Sequence, residues 1–181
     1  MAFPTGGYEP RWPGVVELNL GDHWRARWVS EQSLPSNAPV DYAYALIYMG
    51  DKGYLTRRAG DEVWGTVEGA PQPGEKPDAF VKRAAREQAG AVVGKVGVVG
   101  FLECRATSHN PDHPVGTVRV RPFFLVGAKE VKDLGGRSTF ERRRLPINEH
   151  LVALRRKYPE FEDYIGKASD LYAVWRAKGE A

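Results

Sequence analysis

The spacing of apolar residues along the chain predicts a series of strands. Over residues 23–29 apolar and polar side chains alternate, which is the pattern of a half-buried strand. Two apolar runs, 42–49 and 54–57, are separated by a Gly-Asp-Lys-Gly segment that favours a β-hairpin, because Gly and Asp readily adopt turn conformations. Further strands are predicted over 96–104 and over 117–126, and the second is apolar enough to lie inside a sheet.

Helices are predicted before and after these later strands. Pro77 fits the first turn of a helix that runs to about Ala89, because its missing N–H would be unpaired there in any case. Gly90 is well placed for a left-handed C-terminal cap. Helices that alternate with strands indicate a mixed α/β domain. Two more helices are predicted over 147–157 and 160–178, the last with apolar residues at helical spacing: Phe161, Ile165, Ala168, Tyr172 and Trp175.

Length and composition indicate one soluble domain. The chain of 181 residues is long enough for a sizeable core, and 42% hydrophobic with 27% charged residues excludes a collagen-like or wholly disordered protein. The lone Cys104 cannot form an internal disulfide. The longest apolar stretch, 42–49, is too short to span a membrane, so we expect a cytoplasmic protein. A net charge of +3 suits anionic ligands such as phosphates.

The N-terminal part of the chain differs in composition from the rest. Residues 1–14 are rich in Gly and Pro and are expected to form an extended arm, so we divide the chain into an arm and strand, 1–40, and a main domain, 41–181. Aromatic and basic residues on this part either stack a base and hold phosphate or pack against the domain or against a second copy in a homodimer, and we favour packing. They are Arg11, Trp12, Trp24, Arg25, Arg27 and Trp28.

Residues 69–91 carry the most specific pattern in the sequence. Gly69, Glu75, Arg83, Glu87 and Gly90 stand at the spacings of the Nudix box, G-x5-E-x7-R-E-U-x-E-E-x-G-U, where U is a bulky apolar residue. The chain therefore resembles the Nudix hydrolase family. The resemblance implies an α/β fold of the Nudix type, an α/β/α sandwich with a mixed β-sheet in the main domain.

The sequence departs from the box at two positions that bear on chemistry. Ala84 and Gln88 stand where the family has Glu, and in the family these carboxylates hold catalytic metals. Positions 84, 87 and 88 share one helix face, which keeps one carboxylate, Glu87, and the neutral carbonyl oxygen of Gln88. Because Mg²⁺ prefers carboxylate oxygens, we expect Mg²⁺ or Mn²⁺ to bind weakly, with Glu87 and Gln88 as the catalytic and metal-binding candidates.

The resemblance also assigns roles to residues beside these two. Glu68 replaces the first of two paired glycines whose backbone carbonyl often reaches the metal in the family. Either this carbonyl still serves, or the Glu68 side chain supplies a substitute acid and metal ligand. The resemblance implies that Glu75 and Arg83 contact each other and tie the loop of the box to its helix. A carboxylate and a guanidinium can form two hydrogen bonds at once, in a bidentate contact.

Other candidates lie outside the box. His109 and His113 share a loop with Asp112, and they either bind metal or phosphate or belong to a plain surface loop. Glu149 lies where many family members place an additional catalytic acid, although a Glu at a helix N-terminus is also favoured by the helix dipole. Arg57, at the end of the predicted hairpin, is expected with the two histidines to contact substrate.

The function implied by the resemblance is hydrolysis of a nucleoside diphosphate linked to another moiety, with weak activity because of the two missing carboxylates. The alternative is a catalytically silent module of the same fold that binds or senses such a nucleotide-like diphosphate ligand. A third interpretation is an interaction domain whose Trp-bearing arm mediates dimerisation. The basic runs 142–144 and 155–157 are expected to be solvated charge, so nucleic acid is not the expected partner.

Overall fold

The computed structural model of the chain describes residues 23–37 and 39–181. Seven strands alternate with three helices along this part of the chain. The strands are β1 (Trp24–Val29), β2 (Ala43–Met49), β3 (Lys52–Arg58), β4 (Val67–Gly69), β5 (Ala91–Ala106), β6 (Val118–Val131) and β7 (Phe140–Pro146). The helices are α1 (Pro77–Ala89), α2 (Ile147–Lys157) and α3 (Glu162–Ala177), and a 3₁₀ turn over Pro159–Phe161 precedes α3.

The seven strands form one mixed sheet in the order β1-β5-β6-β2-β3-β7, with the short β4 paired to β2. The pair of β2 with β6 is parallel, and the other strand pairs are antiparallel. β2 lies at the centre and is buried along almost its whole length. A strand covered on both faces reads as a continuous apolar run, and this is what the sequence of β2 shows.

Helices cover both faces of the sheet, and alternate residues of β2 show how. Ala43, Ala45 and Ile47 pack with the apolar side of α1. Tyr44, Leu46 and Tyr48 point to the opposite face, where they join the apolar residues of α2 and α3. The α/β/α sandwich expected from the motif is therefore the fold of this chain.

Gly90 ends α1 and fixes where the helix meets the sheet. Its φ of 67° lies in the left-handed region, and its N–H donates to the carbonyl of Arg86. A Cβ at this position would lie 2.1 Å from the carbonyl oxygen of Lys132. Arg142 of β7 completes this end of the helix, because its guanidinium donates to the carbonyls of Ala89 and Lys132 at 2.8 and 2.6 Å.

The expected elements are present, with differences at several boundaries. The β2–β3 connection is a tight turn at Gly50 and Asp51, so β3 begins at Lys52, earlier than expected. The strand expected over 96–104 is β5, which is longer at both ends. The strand expected over 117–126 is β6, which is longer at its C-terminal end. β4 and β7 were not predicted. In the run 142–144, expected to be solvated charge, Arg143 and Arg144 are exposed, whereas Arg142 is half-buried in the edge strand β7 and caps α1.

β1 is part of the same sheet, since it pairs along its length with β5. Trp28 packs inside the fold, with its ring centroid 5.3 Å from that of Phe123 and 5.6 Å from that of Tyr164. Packing of this strand against the domain, one of the two expected outcomes, is thus present. The expected arm over residues 1–14, with Arg11 and Trp12, lies outside the described residues, and the division at residue 40 stays a prediction.

Within the described ranges, no helix combines the length and the apolar composition that crossing a membrane requires.

We predict that Gly90→Ala destabilises the protein more than Gly74→Ala. Both glycines have positive φ, 67° and 75°, but a Cβ at Gly74 meets nothing within 4 Å. Gly74→Ala therefore carries only the backbone penalty, about 1–2 kcal/mol, whereas Gly90→Ala also collides with the Lys132 carbonyl. Chemical denaturation of the two variants measures the difference, and equal losses would contradict this account of the α1 cap.

Candidate functional site

A pocket of about 280 Å³ opens beside β4 and the end of α1. We call it the Glu68 pocket. Its inner wall consists of buried residues, and its outer rim consists of exposed ones. The buried lining residues are Thr56, Gly65, Thr66, Gln88 and Tyr158, the half-buried ones are Tyr42, Arg57, Glu68, Gly69 and Phe140, and the exposed ones are Arg58, Asp61, Val63, Ala70 and Lys157.

The side-chain amide of Gln88 is paired with the backbone of Glu68. Its Nε2 donates to the Glu68 carbonyl at 2.8 Å, and its Oε1 accepts from the Glu68 N–H at 3.2 Å. The N–H and the carbonyl of Glu68 lie on the edge of β4 opposite β2, which no strand of the described residues covers. The amide therefore takes the place of a neighbouring strand at one residue. A Gln side chain offers one donor group and one acceptor group at its end, and both are used here.

The carboxylate of Glu68 is held by tyrosine hydroxyls. Tyr158 donates to its Oε2 at 2.7 Å, and the same hydroxyl accepts from the N–H of Thr66 at 3.2 Å. Burial raises the pKa of Tyr42 to about 12, with further contributions from the charge of Glu68 and from a hydrogen bond to it. The pKa of Tyr158 is also raised, first by burial and then by the charge of Glu68. Both hydroxyls are therefore protonated donors at neutral pH.

Three cations border the pocket, and each rests on an aromatic ring. The Arg57 guanidinium lies 4.4 Å from the ring centroid of Trp64, and its Nε donates to Glu141 at 2.5 Å. Arg58 lies 4.9 Å from the ring of Phe140, and the Lys157 ammonium lies 5.9 Å from that of Tyr158. Such contacts favour a cation held over a ring, so the rim presents positive charge in defined places.

Glu75 and Arg83 form the contact that the motif predicts. Arg83 donates from Nε to Oε1 and from Nη2 to Oε2 of Glu75, both at 2.8 Å, which is the bidentate arrangement. Hydrogen bonds from Arg83, followed by one from the backbone N–H of Gln72, lower the pKa of Glu75 to about 2. Arg83 also donates to Glu87 at 3.1 Å. The pair joins the loop before α1 to the middle of the helix.

The expectation that positions 84, 87 and 88 present one common face was wrong for Ala84. Its side chain is completely buried in the cluster between α1 and the sheet. Glu87 is 51% exposed and ion-paired with Arg83, and it lines a second cleft on the other side of Phe140. Only Gln88 of the three lines the Glu68 pocket. Residues three and four apart lie near one another on a helix, but at 3.6 residues per turn positions 84, 87 and 88 still spread over about 100° around its axis, which is wide enough to divide them between core and solvent.

The structure brings some of the other candidates to the pocket and leaves others away from it. Arg57 and Glu68 line the pocket together with Gln88. Glu149, His109 and His113 do not line it. Glu149 is exposed in the first turn of α2, and the ring of His113 lies 5.3 Å from that of Trp24.

Sequence reasoning missed the part played by Tyr158. Its hydroxyl would lie 2.5 Å from a Cβ at Gly65, so a glycine is needed for Tyr158 to reach Thr66 and Glu68. The residue follows the last turn of α2 and precedes a proline, where the sequence shows only a helix end. No local pattern connects it to Glu68, which lies 90 residues earlier in the chain.

The described residues do not assemble the metal site that the family motif implies. Across 23–37 and 39–181, no three His, Cys, Asp or Glu side chains are grouped to hold an ion. The backbone carbonyl of Glu68 accepts from Gln88, and Glu87 is paired with Arg83 away from the pocket. A hard cation requires several oxygen ligands, and here these oxygens are used by other partners.

The family is shown by comparison with known proteins. The NUDIX domain profile matches residues 38–164, which is well over half of the chain. The chain therefore belongs to the Nudix family. No curated protein matches its sequence.

A solved structure shows the same fold at low sequence identity. The chain is similar to a mutant of the Bacillus subtilis pyrophosphohydrolase BsRppH, with 15% identity and a TM-score of 0.53 over 67% of this chain and 72% of that one. It is also similar to the E. coli dihydroneopterin triphosphate pyrophosphohydrolase, with 14% identity and a TM-score of 0.46 over 70% of this chain and 94% of that one.

We predict that Arg83→Ala lowers thermal stability more than Arg86→Ala does. Arg86 is an exposed residue of the same helix, whereas Arg83 makes the bidentate contact with Glu75. Because the folded-state pKa of Glu75 is depressed to about 2, the stabilisation is present above its unfolded value of about 4.3 and is lost as pH falls toward 2. The two variants should therefore differ at pH 7 and converge near pH 2 in thermal unfolding. Equal stabilities at pH 7 would contradict the prediction.

Proposed function

We propose that this Nudix-family protein binds a nucleoside diphosphate linked to another moiety in the Glu68 pocket and hydrolyses it slowly at most. The observation that carries the proposal is the position of the pocket. It is lined by Glu68, Gly69 and Gln88 of the motif region and bordered by Arg57, Arg58 and Lys157. Phosphate oxygens are favoured ligands of such cations.

The slow rate follows from the partners of the motif residues. Diphosphate hydrolysis uses divalent cations to neutralise phosphate oxygens and to activate water. Of the proposed ligands for Mg²⁺ or Mn²⁺, Gln88 and the backbone or side chain of Glu68 line the pocket, and Glu87 lies away from it. Each of these groups already has a protein partner, so a cation must share each of them with an existing hydrogen bond.

A binding or regulatory module without turnover is the second candidate. It is favoured by the amide pairing of Gln88 with Glu68, because this pairing stabilises β4 in the absence of any ion. In this candidate the same pocket and the same cations hold the ligand, and the motif serves as scaffold. The cytoplasmic location and the homodimer expected from the sequence stay predictions, as do the roles of Glu149, His109 and His113.

The proposal is tested with a panel of nucleoside diphosphate compounds, measuring binding by calorimetry and phosphate release with Mg²⁺ and with Mn²⁺. Binding with slow release supports the first candidate, and binding without release supports the second. Fast turnover would contradict both. If Arg58→Ala and Lys157→Ala bind the ligand as tightly as the parent protein, the ligand binds outside the Glu68 pocket.

We predict that Gln88→Glu creates a divalent cation site. The new carboxylate can no longer donate to the Glu68 carbonyl, so two oxygens face each other and the variant is less stable than the parent protein without metal. Mg²⁺ placed between them relieves this repulsion. We expect millimolar Mg²⁺ to raise the melting temperature of Gln88→Glu by several degrees and to leave the parent protein nearly unchanged.

The matched control for this prediction is Gln32→Glu. It adds the same charge at an exposed loop position after β1. Equal responses of the two variants to Mg²⁺ would show that the effect is general electrostatics. Phosphate release by Gln88→Glu above that of the parent protein would support the first candidate, while stabilisation by Mg²⁺ without release would support the second.

A further inference from the structure

The carboxylate of Glu68 lies in the pocket, and no cationic side chain of the described residues forms an ion pair with it. Its side chain is held by hydroxyl donors, of which Tyr158 is the nearest at 2.7 Å. Over the part of the chain that the structure describes, no Lys, Arg or His side chain is ion-paired with it. A half-buried carboxylate can accept about four hydrogen bonds. Glu68 therefore retains acceptor capacity toward the pocket.

Charge is divided between the inside and the outside of this pocket. The positive groups of Arg58 and Lys157 lie on the exposed rim, together with the acid Asp61. Arg57 is half-buried and ion-paired with Glu141. The inner part carries the Glu68 carboxylate beside buried polar residues. An anionic group therefore fits the rim, and a group with hydrogen-bond donors fits the inner part.

The inner acceptor is fixed in position before any ligand enters. Tyr158 reaches Glu68 only because Gly65 leaves room for its hydroxyl, and this hydroxyl is itself oriented by the N–H of Thr66. The backbone of Glu68 is fixed by Gln88 at the same time. An acceptor with a fixed backbone and a fixed side chain can discriminate between ligands, because neither has to be ordered on binding.

Three kinds of ligand group can be compared at this position. A phosphate is disfavoured next to an unneutralised carboxylate, and a divalent cation lacks further oxygen ligands there, since the Glu68 carbonyl is in use. An amino group on a planar ring donates hydrogen bonds to a carboxylate and can lie flat against the pocket aromatics Tyr42, Phe140 and Tyr158. Of the three, the amino group on a planar ring fits the observed charges best.

We propose that Glu68 reads the exocyclic amino group of a nucleobase at the inner end of the pocket, with the phosphates of the same ligand at the cationic rim. This inference rests on the proposed function and specifies its second candidate, because a base held by Glu68 leaves no place there for a metal-bound phosphate. The ligand is then a phosphorylated nucleoside whose base carries an amino group, and Glu68 is the residue that determines base specificity. Tyr158 is a positioning residue that acts through Glu68.

Two pairs of nucleotides test the proposal, because the members of each pair differ at the amino position. GDP has a 2-amino group that IDP lacks, and CDP has a 4-amino group where UDP has an oxygen. Calorimetry on the full chain, with Mg²⁺ and again in EDTA, should show GDP binding at least tenfold more tightly than IDP, or CDP at least tenfold more tightly than UDP. A hydrogen bond to a charged acceptor is worth a factor of about this size.

Three variants connect this preference to Glu68. Glu68→Gln keeps the shape but removes the charge, and it should reduce the preference to less than about threefold. Tyr158→Phe should reduce the preference while leaving the affinity for IDP or UDP nearly unchanged, an outcome that a general loss of stability would not produce. Asp170→Asn removes an exposed carboxylate of α3 outside the pocket and should leave the preference as it is.

The outcomes separate this inference from the proposed function. Equal binding of both members in both pairs overturns the inference and leaves the proposed function standing. A preference that persists in Glu68→Gln also overturns the inference, because another group then reads the base. If none of the four nucleotides binds in either buffer, the inference fails, and the proposed function fails with it only if no compound of the diphosphate panel binds either.

Discussion

The pairing between the Gln88 amide and the backbone of Glu68 is the contact on which the site depends. It joins the end of α1 to β4, and β4 in turn pairs with β2 of the sheet. Without it, the exposed edge of β4 would leave an N–H and a carbonyl without a protein partner. One of these two hydrogen bonds, from Gln88 Nε2, occupies the carbonyl that the family motif assigns to metal. One interaction thus stabilises the scaffold and limits the chemistry that the scaffold can perform.

The Glu68 pocket is built from segments that are distant in the chain. β3, β4, α1, β7 and the end of α2 each contribute lining residues. The ion pair between Glu75 and Arg83 sets the loop before α1, and the guanidinium of Arg142 closes the other end of that helix. The helix is therefore fixed at both ends and along its buried side. The position of Gln88, and with it the form of the pocket, follows from these three constraints.

Most of the fold could be predicted from local patterns, and most of the site could not. The bounds of α1 follow from Pro77 and Gly90, whose backbone preferences are intrinsic to the residue types. β7 escaped prediction because its charged side chains resemble a solvated loop, and only the tertiary contact of Arg142 with α1 explains them. The spacing of the motif correctly paired Glu75 with Arg83, but helical spacing alone could not show that Ala84 faces the core. Tyr158 escaped notice because its partner is set by the fold and by no nearby residue.

The parallel pairing of β2 with β6 has a consequence for the order in which the protein assembles. β2 is translated early, but one of its two principal neighbours in the sheet is translated about seventy residues later. The whole motif lies in the intervening segment. During synthesis on the ribosome, the motif helix therefore emerges before the strands β5 and β6, which share its apolar cluster, and Tyr158 emerges later still. Contacts between such distant segments form slowly, because a long loop must be closed first. A nascent chain that ends after the motif contains the signature of the family but lacks Phe140, Lys157 and Tyr158 of the Glu68 pocket.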